Sequence, residues 1–411
     1  MGNRVVVTGM GAVTPIGNDA ETFIDNLLAS KVGIEKITSF DTSEIKAHVA
    51  AGVKDFDPGK RLAKRDYHRV DPFAQYALYS AVEAMNQAGL KRGEYDGKDL
   101  GVIYGSGIGG ISTIETQVLK MYKKGPRRLS PLFIPETIIN MAAGNISIYF
   151  GAKNTSKAVV TACATGTNAI GDAYEYIKAG KAKMMIAGGS EAAITPVGIS
   201  AFAALTALSS SEDPERASMP FDQDRDGFVM GAGAGTLVLE DYDHAKARGA
   251  HILGEIVGYG QTSDAYNLTA PDPDGEGAIG AMQQALDEAN IKTSDLDYIN
   301  AHGTATQSND IAESKAISKL FNDNDHVLVS STKGMTGHAL GAAGAIEAVA
   351  ILGAMKRSQM PVNVGVTHQD PESHIRLVDQ TNAKRSVNTA ISNSFGFGGH
   401  NAVLAIKKWN Q

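Results

Sequence analysis

One pattern restricts the fold of this chain more than any other: strand-like and helical stretches alternate along its whole length, and the order repeats itself. Residues 5–9, 100–104, 158–161, 184–187 and 235–239 are rich in apolar and β-branched side chains and read as strands. Between them, 71–88 and 165–179 carry helical periodicity. From about residue 251 a similar order begins again, with strands at 252–258, 296–300, 327–330, 389–392 and 402–406 and helices at 277–289 and 341–355. The endings match in kind, Gly231-Ala232-Gly233-Ala234-Gly235 before a strand at 236–240 and Gly396-Phe397-Gly398-Gly399 before one at 401–406. Such alternation predicts an α/β fold. Its repetition predicts a duplicated unit, halves 1–250 and 251–411 meeting face to face, although two generic α/β patterns would also look alike.

A chain of 411 residues is long enough for two domain-sized halves. Its 45 glycines exceed the roughly 7% typical of proteins and predict tight turns and close backbone approaches. A net charge of −7 argues against a nucleic-acid-binding surface spread over the molecule. The single cysteine, Cys163, excludes an internal disulfide framework, and the ten histidines show no metal-binding spacing, so no metal is expected. The residues before Val5 show no signal-peptide pattern, and Val6 occupies the place where a myristoylation motif needs Ser or Thr. No uncharged apolar run reaches about 18 residues, since the closest, 339–355, carries Glu347. A cytoplasmic location without membrane contact is the expectation.

Cys163 follows an apolar run and opens a small-residue helix, in Val159-Val160-Thr161-Ala162-Cys163-Ala164-Thr165-Gly166-Thr167. A side chain at such a turn faces the positive end of the helix dipole and unpaired N–H groups. Both favour thiolate, so a lowered pKa and a reactive sulfur are expected. Alone, such a residue is more often a buried inert cysteine. Two histidines change that balance. His302 lies in Asn300-Ala301-His302-Gly303-Thr304 just past a strand end, and His338 lies in Gly337-His338-Ala339 just before an alanine-rich helix. Loops at element ends are where α/β proteins place chemistry.

Taken together, these residues resemble the β-ketoacyl-acyl-carrier-protein synthases of the thiolase-like superfamily, in particular the elongating type II enzymes of fatty acid synthesis. The resemblance runs from Val5-Val6-Val7-Thr8-Gly9-Met10-Gly11 to Phe395-Gly396-Phe397-Gly398-Gly399-His400-Asn401. It rests on Thr161-Ala162-Cys163, Asn300-Ala301-His302-Gly303-Thr304, Lys333 with Gly337-His338, and Gly341-Ala342-Ala343-Gly344-Ala345. It implies a five-layer α-β-α-β-α core and a homodimer. It also implies a Claisen condensation of an acyl-enzyme thioester with malonyl-carrier protein, with no cofactor beyond the carrier's phosphopantetheine. By the same resemblance Cys163 is the nucleophile, and His302 and His338 stabilise the enolate. Lys333 and Glu347 support them, and the backbone N–H groups of Cys163 and Phe397 form the oxyanion hole. Thr304 and Thr306 match threonines that bind the pantetheine arm. Ile108, Phe202 and Phe397 match acyl-channel positions, with Phe397 as a gate between glycines. The carrier is acidic, so Arg65, Arg69, Lys123, Lys124, Arg127 and Arg128 are candidates for its docking rim, or else an ordinary solvated face.

Three positions depart from the family pattern: Ala232 where an acidic residue is common, Asn267 where histidine is frequent, and Thr206 where some relatives carry arginine. Among rivals, a thiolase needs a second cysteine, and an initiating condensing enzyme pairs cysteine with one histidine and asparagine. A silent chain-length subunit lacks the cysteine, and a cysteine hydrolase leaves one histidine unexplained. A type I elongating synthase shares the triad. Gly105-Ser106-Gly107-Ile108-Gly109-Gly110 matches a dinucleotide-binding pattern, but no acidic strand end follows about 20 residues on.

Overall fold

The computed structural model describes residues 2–321 and 326–410. Ten strands form one mixed sheet. They are β1 Val5–Val13, β2 Leu100–Gly105, β3 Ser156–Lys157, β4 Met184–Glu191 and β5 Gly233–Asp241, then β6 Gly254–Ser263, β7 Tyr298–Asn300, β8 Leu328–Ser330, β9 Thr389–Gly396 and β10 His400–Lys408. Across the sheet the order is β8, β7, β9, β10, β6, β1, β5, β4, β2, β3. In the first series β1 runs antiparallel to β5 and β5 to β4, while β4, β2 and β3 are mutually parallel neighbours. The second series repeats this with β6, β10, β9, β7 and β8. The two meet where Val5 to Val7 of β1 lie antiparallel to β6. The duplication expected from the sequence is therefore present strand by strand.

Five helices set the layers: α1 Pro72–Gln87, α2 Thr165–Lys178, α3 Glu276–Ala289, α4 Gln307–Phe321 and α5 Ala343–Arg357. α5 is buried on all sides from Ala343 to Met355, as an all-round apolar helix must be. Together with α2 it forms the middle layer, in one cluster with residues of both strand series such as Leu237 and Leu404. On one outer side Phe73, Leu78 and Met85 of α1 pack on Val102, Ile186 and Val238. On the other, Met282, Ala285 and Leu286 of α3 pack on Ile299, Val403 and Ala405. This is the thiolase-like α-β-α-β-α arrangement.

The middle helices carry the site. Each opens on a short 3₁₀ turn, Ala162–Ala164 for α2 and Leu340–Ala342 for α5. Each turn begins on a left-handed non-glycine residue, Ala162 at φ 49° and Leu340 at φ 46°. The residue after each is Cys163 in the first copy and Gly341 in the second. A Cβ at Gly341 would lie 2.3 Å from the backbone nitrogen of Gly107, so only one copy of the turn has room for a functional side chain. The helices cross at their first turns, where a Cβ on Gly166 would come within 2.8 Å of Ala345 N and one on Gly344 within 2.0 Å of Thr167 Oγ1.

Two local expectations need correction. Residues 158–161 are not a strand: pairing with β2 ends at Lys157, and the chain then turns, with Thr161 N–H donating to Thr165 Oγ1 at 2.9 Å. The glycine runs do not simply precede strands. Gly233 already belongs to β5, while Phe397 to Gly399 form the hairpin between β9 and β10, with Gly398 and Gly399 at φ 87° and 77°.

Candidate active site

Cys163, His302 and His338 come from three separate elements, the turn opening α2, the loop after β7 and the segment before α5, yet border one cavity of about 570 Å³. Their exposures are 8%, 3% and 3%. The two imidazoles meet edge to face with centroids 5.2 Å apart, and Phe228 and Phe395 flank them at 5.3 Å from His338 and 5.7 Å from His302. His338 is fixed through its backbone: its N–H donates to Val229 O at 2.7 Å and its carbonyl accepts from Gly231 N at 2.8 Å. His302 is fixed by Glu313 of α4, whose carboxylate accepts the N–H groups of His302 and Gly303, both at 2.8 Å, and Asn393 Nδ2 at 3.1 Å.

Burial, then the Lys333 charge, hold both imidazoles well below the ordinary histidine pKa of 6.5. Each ring is therefore neutral at physiological pH and keeps one N–H to donate. Nδ1 of both is buried without a partner among the described residues.

The sulfur behaves differently from expectation. Burial pushes the Cys163 thiol up to about 12, against the opposing pull of Lys333 and of the Phe397 backbone N–H. At this turn desolvation outweighs the helix terminus, and the resting group is a thiol. The Phe397 N–H nonetheless reaches the sulfur, and the chain at Gly396 passes so close that a Cβ there would sit 3.1 Å from Cys163 N. The end of β9 and the Phe397 N–H thus lie beside the backbone and the sulfur of Cys163.

Lys333 and Glu347 form an ion pair, each 1% exposed. Removing one partner of such a pair strands a buried charge. Lys333→Ala is expected to cost about 3–5 kcal/mol of stability in urea unfolding, whereas Lys333→Met with Glu347→Leu recovers most of that loss. Equal unfolding midpoints for single and double variants would refute this coupling.

The glycine-rich loop has its own acceptor. Glu191, fully buried, accepts from Ser106 Oγ at 2.8 Å, Gly107 N at 2.7 Å and Ile108 N at 3.2 Å. It also accepts from Gly341 N at 3.1 Å. The N–H groups that would cradle a dinucleotide phosphate are taken by a carboxylate.

With this geometry in view, the comparisons are direct. The Beta-ketoacyl synthase, N-terminal domain matches residues 2–245, and the Beta-ketoacyl synthase, C-terminal domain matches 253–367. The chain belongs to the beta-ketoacyl synthase family. This synthase is 48% identical over 407 residues to the 3-oxoacyl-[acyl-carrier-protein] synthase 2 of Staphylococcus aureus strain COL, covering 99% of this chain and 98% of that protein. It is 47% identical over 408 residues to the protein of the same name from Synechocystis, with the same coverage. Among solved structures, a type II PKS ketosynthase in complex with its acyl-carrier protein superposes with TM-score 0.92 at 33% identity, covering 100% of both chains.

The other residues singled out in the synthase divide into three groups. Phe202, Phe397, Thr304 and Thr306 border the cavity with the triad; the Phe202 and Phe397 rings lie 6.3 Å apart, and the two threonine hydroxyls share a 2.9 Å hydrogen bond. Ile108 does not border it, but packs in the same apolar cluster as Cys163 and Phe202. Arg65, Arg69, Lys123, Lys124, Arg127 and Arg128 are exposed on the surface, and none borders the cavity.

Of the departures, Thr206 borders the cavity and Ala232 is 4% exposed. Asn267 caps a turn, its Oδ1 accepting from Thr269 N at 3.0 Å and Ala270 N at 3.2 Å. Sequence reasoning missed Glu313, Glu191, Phe228 and Leu340. The carboxylates sit at amphipathic or strand positions where nothing marks them as buried acceptors. Among the described residues no group of three or more His, Cys, Asp or Glu side chains could hold a metal, and no helix is long and apolar enough to cross a membrane.

Proposed function

We propose that this synthase elongates fatty acyl chains on an acyl carrier protein, with Cys163, His302 and His338 as its reacting set. The Cys163 sulfur attacks the carrier-bound acyl thioester, the carrier thiolate leaves with the thiol proton, and an acyl-enzyme forms. Malonyl-carrier then enters, its carboxylate leaves as carbon dioxide, and the electron pair stays behind as an enolate. The neutral imidazoles of His302 and His338 donate N–H bonds to that enolate oxygen. Its carbon attacks the Cys163 thioester while the N–H groups of Cys163 and Phe397 receive the tetrahedral oxygen. Collapse releases a 3-oxoacyl chain two carbons longer and returns the sulfur.

The observation that carries this reading is the convergence of one buried thiol and two buried, neutral imidazoles on a single cavity. Lys333 and Glu347 maintain the charge balance beside the rings. Thr304 and Thr306 receive the pantetheine arm, Ile108 and Phe202 bound the acyl chain, and Phe397 gates it. No cofactor beyond the carrier's own arm enters the reaction. Halves 1–250 and 251–411 contribute sulfur and imidazoles respectively. The enzyme works in the cytoplasm as a homodimer, in keeping with the exposed apolar side chains of Val118, Leu119, Tyr122, Ile134 and Val160. Mass spectrometry of products from a ladder of acyl-carriers with malonyl-carrier tests the reading: each substrate should return as a 3-oxo chain two carbons longer, and unextended products would refute it.

Arg65, Arg69, Lys123, Lys124, Arg127 and Arg128 supply the basic rim for the carrier. Reversing Arg127 and Arg128 to Glu should raise KM for carrier-bound substrate by about tenfold at low salt with kcat kept, and the effect should shrink as salt is added. An unchanged KM and salt dependence would remove these arginines from the docking surface.

A further inference from the structure

Ala162, immediately before the nucleophile, holds a left-handed backbone at φ 49°. Such strain in a non-glycine residue persists only where neighbours over-determine it. The determinant lies one residue upstream, where all three hydrogen-bonding groups of Thr161 are engaged. Its carbonyl accepts from Ala164 N at 3.0 Å, its N–H donates to Thr165 Oγ1 at 2.9 Å, and its hydroxyl donates to Asn168 Oδ1 at 2.6 Å. The first two bonds are local to the turn. The third leads away from it.

Asn168, on α2 and 5% exposed, donates its amide to Tyr259 OH at 2.6 Å and, at a longer 3.5 Å, to Gln261 Oε1. Tyr259 donates onward to Gln261 Oε1 at 3.1 Å. Donors and acceptors run in one direction through the chain Thr161, Asn168, Tyr259, Gln261, so every link keeps its proton in place. Burial pushes the Tyr259 phenol up, so it stays protonated and able to donate. Tyr259 and Gln261 belong to β6, in the strand series that also holds the loops of His302 and His338. The anchor is rigid: Tyr259 N–H is held by Glu288 Oε2 at 2.7 Å, and its ring lies where a Cβ on Gly171 of α2 would come within 2.3 Å.

We infer that Asn168, through Thr161 and Tyr259, is a positioning residue that locks the cysteine turn to the strand series carrying the imidazoles. The inference rests on the proposed roles of Cys163, His302 and His338, and gives Asn168 no contact with substrate. Misplacing a reacting atom by about 1 Å can cost on the order of 100-fold in rate, so loosening this strap should slow the sulfur's chemistry while leaving the imidazoles' chemistry intact.

Asn168→Ala and Tyr259→Phe are the variants, tested in the full-length enzyme by two separate half-reactions. Acyl transfer from acyl-carrier to Cys163, followed by intact mass after rapid quench, should fall at least about tenfold in each, with KM for acyl-carrier within about twofold of wild type. Because the two residues act in one chain, the double variant should be no slower than Asn168→Ala alone. Carbon dioxide release from malonyl-carrier without an acyl donor should stay within about twofold of wild type, which also shows that the variants fold. Tyr259→Phe keeps the ring packing and therefore tests the hydrogen bond even where Asn168→Ala proves unstable. Unchanged acyl transfer in Tyr259→Phe overturns the inference. So does a parallel fall of both half-reactions, which marks a merely structural role. A wild-type enzyme that takes no acyl group on Cys163 is a distinct result, and it removes the functional reading together with this inference.

Discussion

Cys163→Ala should form no acyl-enzyme with any acyl-carrier, and its condensation rate should fall by about 10⁴-fold or more, the scale seen when a covalent nucleophile is removed. The chain contains one cysteine, so no second thiol can substitute. The change removes one sulfur from the wall of the cavity and leaves both imidazoles with their anchors, Glu313 for His302 and the Val229 and Gly231 backbone for His338. Carbon dioxide release from malonyl-carrier should therefore survive. Acyl mass on the variant, read by intact mass spectrometry, would point to another nucleophile. Loss of carbon dioxide release would mean that the sulfur takes part in decarboxylation. The same sulfur carries a pH prediction. Its folded value near 12 lies above the ordinary 9.0, so the free enzyme holds a thiol through neutrality. Alkylation by iodoacetamide should keep rising beyond pH 9.0, the ordinary cysteine value. A plateau near neutrality would show that the helix terminus prevails over burial.

Which parts of this arrangement were legible in the sequence follows from what each element depends on. The strand-and-helix alternation and its repeat are local patterns, and the mirrored order of β1 to β5 and β6 to β10 bears them out. The 158–161 segment failed because Val159 and Val160 have strand-like chemistry while the ladder already ends at Lys157. Partner availability, which is tertiary, decided it. Helix α5 was legible because Glu347 interrupts an otherwise apolar run, but its ion partner Lys333 lies in a different element, and only the family resemblance linked them. The Cys163 pKa was misjudged for a related reason. A turn and a helix start can be read from Thr161 to Thr167, but the depth of burial that dominates the thiol depends on α5, the end of β9 at Gly396 and the Phe228 cluster. Glu191 and Glu313 were invisible because their partners are mostly backbone N–H groups of other loops, which carry no residue type or spacing to recognise.

The imidazoles should be separable from the sulfur by the mirror-image experiment. On the proposed mechanism His302→Ala or His338→Ala removes one donor to the enolate oxygen, a loss worth roughly 10²–10³ in rate when an oxyanion donor is deleted, and it should appear in carbon dioxide release rather than in acyl transfer to Cys163. The pH dependence sharpens the assignment. In the folded protein both rings have pKa values well below 6.5, so unfolded histidine binds a proton first as pH falls. Their contribution to stability is complete above 6.5 and is lost as pH drops below it. Glu313 has the opposite sign. Burial raises it from 4.5 to about 7, so its contribution is complete below 4.5 and is lost as pH rises toward 7. The neutral imidazoles should thus add no inflection of their own at pH 6.5, and an inflection near 7 in the decarboxylation profile should belong to Glu313, which holds the His302 and Gly303 N–H groups. Glu313→Gln removes that titration while keeping one acceptor oxygen. If the inflection persists in Glu313→Gln, an imidazole is titrating there, and two neutral N–H donors can no longer explain how the enolate is held.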